Sequence, residues 1–169
     1  MRAAGIVLAI ALSLALQTTL ARFVVRGSMA VDLVLVVVVY VALTCGPVTG
    51  LLTGTVAGLL QDALSTGVIG IGGLAKTIVG FLAGVIGSQF IVSQSVPRFV
   101  VFFGATLLHA VVFMGLYALL DLRHFGTPYG VVATQAAVNA IVGVLAFQLV
   151  ELLPGAVERR RAEKGRLRR

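Results

Sequence analysis

The chain is 169 residues long, 59% hydrophobic and only 11% charged, with a mean hydropathy of +1.10 and a net charge of +7. Soluble domains carry about 25% charged residues, so this composition cannot cover a water-facing surface. It excludes a soluble globular domain, and the apolar segments leave no length for a second one.

A spanning helix needs about 20 apolar residues, and the chain divides into six such segments. The first runs from Ala3 to Ala21. Its basic start and apolar run are those of a signal peptide. The run is long for one, however, and more apolar segments follow without a small-residue cleavage site, so it reads as a retained first helix. The second runs from Val31 to Cys45, opens at a boundary containing Asp32, and is broken by Gly46-Pro47. The third runs from Val48 to Leu64, and a glycine-rich loop from Ser65 to Gly73 leads to the fourth, Leu74 to Val92. A polar turn, Ser93 to Arg98, precedes the fifth, Phe99 to Leu120. Asp121 to Gly130 is the longest polar loop, and the sixth segment, Val131 to Leu153, is expected to stop at Pro154-Gly155. Residues 1–153 thus read as a six-helix transmembrane domain and 154–169 as a basic cytoplasmic tail.

Strands are disfavoured. A transmembrane barrel alternates apolar and polar residues over about ten positions. The runs here are continuous, and an isolated strand in lipid leaves backbone groups unpaired. The valine-rich stretch Val34 to Val41 is therefore expected to be helical. The expected class is an all-α integral membrane protein.

Lys and Arg counts set the orientation. With six crossings and both termini inside, the cytoplasmic side holds Arg2, Arg98 and seven tail residues, against Arg22, Arg26 and Arg123 outside. Those seven are Arg159, Arg160, Arg161, Lys164, Arg166, Arg168 and Arg169. A basic tail can bind nucleic acid. Directly after an apolar segment, a topology signal with attraction to anionic headgroups explains it without nucleic acid.

The third segment carries the sharpest pattern, with Gly50, Gly54, Gly58 and Asp62 at intervals of four, along one helix face. The fourth answers with Lys76, Gly80 and Gly84. Such faces let backbones approach closely. The two segments form an antiparallel hairpin, so Asp62 and Lys76 fall at similar depth. An ion pair that pins the hairpin is expected, with a proton or ion relay as the alternative. Because three segments carry small or polar stripes, the glycine faces are also candidates for docking a partner helix. His109 in the fifth segment, and Gln135 and Asn139 in the sixth, read as interhelical hydrogen-bonding residues, with Asn139 a chemical partner for His109. Glu151 is expected to face the basic tail. The lone Cys45 makes no intrachain disulfide. Walker and G-x-S-x-G motifs, paired carboxylates and metal-ligand histidine spacings are absent. No enzyme, cofactor or metal is expected.

One set of residues resembles the bacterial rod shape-determining MreD family. It comprises Asp32-Leu33, Gly46-Pro47 to Gly50, Gly54-x-x-x-Gly58-Leu59-Leu60-Gln61-Asp62, the glycine-rich loop through Gly70, and Lys76 to Gly84. Val31 stands where family members commonly have proline. The resemblance implies a non-enzymatic scaffold or regulator of the elongation machinery, in the bacterial inner membrane. Its expected partner is MreC and, indirectly, MreB, RodA and the elongation transpeptidase. It also implies an architecture similar to the substrate-binding subunits of energy-coupling-factor transporters, and such a vitamin-type subunit is the alternative function. That alternative needs a solute pocket, for which Tyr117, His124 and Tyr129 are the nearest candidates.

Overall fold

The computed structural model describes residues 2–23, 31–65, 67–90, 94–120 and 129–166, with side chains for 3–19, 31–65, 67–90, 94–120 and 129–152. These residues form six helices and no strand: α1 (Arg2–Phe23), α2 (Leu33–Cys45), α3 (Pro47–Leu64), α4 (Ile71–Gln89), α5 (Ser95–Leu119) and α6 (Tyr129–Arg166). The valine run forms α2, which touches all five other helices and buries Val34, Leu35, Val36, Val38, Val39, Val41 and Ala42.

The ends of the helices have local causes. Asp32 caps α2, its Oδ1 accepting from the Leu35 amide at 2.9 Å. Gly46, at φ 89°, turns the chain sharply into α3, whose first residue, Pro47, needs no amide donor. Helix α4 starts at Ile71 rather than Leu74, because Gly70 at φ 106° ends the loop and a carboxylate from α3 caps the new helix. Helix α5 starts at Ser95 rather than Phe99, because Pro97 falls in the first turn, where a missing donor costs nothing. The largest departure is in α6, which continues through Pro154-Gly155 to Arg166. Proline removes one hydrogen bond from a helix interior, and the strong helix formers Ala, Glu, Arg and Lys that follow carry the helix on.

Helices α3 and α4 make the most extensive contact, α5 packs on α6 and α4, and α1 lies on α2 and α3. One apolar cluster joins Leu35, Val39, Val79, Phe102, Ala140 and Phe147, and a second joins Ile10, Leu14, Val34, Val38 and Ala57. The exterior is just as apolar. On α3, Val48, Leu52, Val56 and Leu60 are exposed while Gly50, Gly54 and Gly58 are buried. Water would not tolerate that inversion over whole helices, but lipid does. Helices α4, α5 and the Tyr129–Leu152 part of α6 are long and apolar enough to cross a membrane, and Ala3–Thr19 and Leu33–Cys45 are shorter apolar helices.

Candidate functional site

The glycine ladder forms the seam between α3 and α4. A Cβ on Gly58 would lie 2.6 Å from the Gly73 Cα, and one on Gly84 would lie 2.6 Å from the Pro47 nitrogen. A Cβ on Gly54 would overlap the Lys76 carbonyl, and Cβ atoms on Gly50 and Gly80 would each overlap the other's carbonyl oxygen. Thr55 and Thr77 hydroxyls hydrogen-bond across the same seam at 2.8 Å. All five glycines singled out from the spacing are therefore spent on packing within the chain. The expectation that this face docks a partner helix is corrected, because the chain's own α4 already occupies it.

Asp62 ends the ladder and turns to the start of α4. Its Oδ2 accepts from the Gly70 and Gly73 amides at 2.9 and 3.0 Å. A Cβ on Gly72 would overlap its Oδ1. A helix N-terminus presents unpaired N–H groups and a partial positive charge. Among apolar surroundings a carboxylate from the preceding helix meets both. Asp62 is thus a cap supplied across the hairpin and does not form the expected pair with Lys76.

Lys76 pairs instead with Asp32, Nζ to Oδ2 at 2.9 Å, with side chains only 4% and 8% exposed. The reason is the length of α2. Thirteen residues rise about 20 Å, short of the roughly 30 Å hydrocarbon core. Its capping residue therefore sits inside the bundle, level with a lysine more than one turn into α4. The Lys76 ammonium also reaches His109 Nε2 on α5 at 3.2 Å. With lysine as donor, that nitrogen accepts and the ring proton lies on Nδ1.

The cluster extends further. The Asp32 amide donates to Asn139 Oδ1 on α6 at 2.9 Å. Asn139 Nδ2 donates to the Thr106 hydroxyl on α5 at 3.2 Å, and that hydroxyl donates to the Phe102 carbonyl. Gln17 on α1 accepts from the Leu33 amide and donates to the Val31 carbonyl, both at 2.9 Å. One buried polar clasp around residues 31–33 thereby ties α1, α4, α5 and α6 to the start of α2. His109 stacks on Phe113, which packs on Tyr117, whose hydroxyl accepts from the Val68 amide in the α3–α4 loop.

His109 and Asn139 are both in the clasp but bond to Lys76 and Asp32, not to each other. Gln135 is half-buried and outside the clasp. At the opposite end of the bundle Arg98 grips Glu151 through both guanidinium nitrogens and lies 4.4 Å over the Phe147 ring. Glu151 thus faces α5 rather than the tail. The sequence places Asp32 at a segment boundary and in a family-like stretch but assigns no partner to it or to Arg98. An acid at the N-cap of a helix too short to span was the available signal for Asp32, whereas Arg98 and Glu151, 53 residues apart, carried none.

These features define a helical membrane protein whose intramembrane charges bind helix to helix. The family model described as rod shape-determining protein MreD matches residues 3–155, nearly the whole chain, and the chain belongs to that family. No curated protein and no solved structure matches it. The likeness to energy-coupling-factor subunits accordingly stays an expectation from sequence.

Proposed function

We propose that this protein is a non-enzymatic scaffold of the bacterial elongation complex, crossing the inner membrane six times with both termini in the cytoplasm. In this reading it supports rod shape and peptidoglycan synthesis by holding MreC and, through it, MreB, RodA and the elongation transpeptidase. Membership of a rod shape-determining family supports the role in cell shape. The observation that carries the scaffold reading is how the charges are used. Asp32, Lys76 and Asp62 are all engaged in ties between helices or loops of the chain itself. Such ties make a rigid body with a lipid-facing surface, and any partner docks on that surface or at the short loops. The basic tail fixes the C-terminus inside and attracts anionic headgroups within a Debye length of the bilayer.

The test is affinity purification from membranes solubilised in mild detergent, with quantification of MreC. Co-purification that depends on a folded bundle supports the scaffold. Failure of MreC to co-purify with a protein that remains folded would sink it.

A further inference from the structure

We propose that the groove between α4 and α5 is the seat of a partner's single transmembrane helix. The proposal rests on the scaffold reading above and names the face that holds MreC. The clasp joins α4 to α5 where the Lys76 ammonium reaches His109. Away from the clasp the two helices part around a groove of about 510 Å³. One wall is Leu82 and Ile86 of α4 with the capping residue Phe90, and the other is Val100, Gly104 and Leu108 of α5. Each set recurs every four residues, along one helix face. Ala83 and Ala105 lie buried between the walls. Every residue lining the groove is apolar, so it offers a solute no polar group to orient by. That leaves two kinds of occupant, an apolar helix and an acyl chain.

Glycine decides between them. The buried glycines of the α3–α4 seam each lie against atoms of the facing helix. Gly104 and Gly115 on α5 are exposed instead, and a Cβ added at either meets nothing within 4 Å. Glycine weakens a helix interior relative to alanine, and in membranes it recurs where a second helix backbone approaches closely. A fluid acyl chain moulds itself to any side chain and gains contacts from a larger one. Length points the same way. Gly104, Leu108, Val111 and Gly115 follow one another at intervals of four, three and four, so the groove continues along α5 as one stripe. From Val100 to Gly115 that stripe rises about 22 Å. One leaflet supplies only half of the roughly 30 Å hydrocarbon core. The stripe therefore passes the midplane, beyond the reach of a chain anchored in one leaflet, whereas a transmembrane helix covers it in one piece. The occupant is an apolar helix that presents small residues to Gly104 and Gly115, at the shallow crossing angle such a spacing favours.

The experiment uses the full chain co-expressed with MreC and purified from membranes in mild detergent. Gly104→Leu and Gly115→Leu are compared with the wild type and with Ala133→Leu, at an exposed position on α6 outside the groove. Each glycine variant should lower co-purified MreC about tenfold or more while the chain itself stays folded, and Ala133→Leu should leave the amount unchanged. The photo-crosslinking residue p-benzoylphenylalanine, introduced at Ile86 in the groove, should form an adduct within the transmembrane segment of MreC. Introduced at Val56, exposed on α3, it should not. Undiminished MreC with both folded glycine variants would overturn the groove and leave the scaffold standing. Crosslinks from Ile86 to phospholipid alone, or to a second copy of this chain, would overturn it as well, and this arm decides the matter even where a glycine variant fails to fold. Absence of MreC from the wild-type preparation would instead refute the scaffold reading, and the groove proposal with it.

Discussion

Asp32→Asn keeps an oxygen that can cap α2 but deletes the charge facing Lys76 Nζ at 2.9 Å. At that separation, and an effective dielectric of about 20, the attraction is about 6 kcal/mol. Desolvation offsets much of it, and removing one member of a buried pair typically costs about 3–5 kcal/mol because the other is left unpaired. Asp32→Asn and Lys76→Met should therefore each cost about 3 kcal/mol or more. The double variant should cost little more than either single one, a coupling of about 2–3 kcal/mol. The assay is unfolding in mixed micelles by increasing SDS, followed by helical circular dichroism, with the four proteins compared as a cycle. Additive losses would refute the pairing. So would coupling of the same size between Asp62→Asn and Lys76→Met, since Asp62 is bonded to backbone amides of the α4 N-terminus.

Three other substitutions bear on the same account. Gly54→Leu forces a side chain into the Lys76 backbone and should unfold the isolated protein, whereas Gly104→Leu, where an added Cβ meets nothing within 4 Å, should leave its melting temperature within a few degrees. Thermal unfolding in detergent distinguishes the two. Asp62→Ala strands two amides and should cost about 2 kcal/mol or more, while Asp62→Asn retains an acceptor and should cost less. Arg98→Gln removes both the grip on Glu151 and the cation over Phe147, and should make the α5–α6 end easier to cleave by protease while the clasp end stays protected.

The apolar runs showed where helices lie, because lipid leaves the backbone no alternative partner. Spacing showed that Gly50, Gly54 and Gly58 share a face with Asp62 and oppose Gly80 and Gly84. What lines up along one chain segment is legible in this way. Which side chain meets which across non-consecutive helices is not. Lys76 is closer in sequence to Asp62, yet the short α2 delivers Asp32 to it from 44 positions away, and the α4 amides claim Asp62 first. Pro154-Gly155 reads locally as a stop, but one lost hydrogen bond does not outweigh the helix formers that follow it.

The most direct test of the scaffold claim is to remove the intramembrane charges without removing the fold. The Asp32→Asn, Lys76→Met double variant should be expressed as the sole copy, with its membrane level and folding checked beside cell shape. A scaffold predicts that cells with normal amounts of the folded double variant keep their rod shape. Round cells at normal levels of folded protein would mean that the charge pair carries a proton or a solute, and would contradict the account.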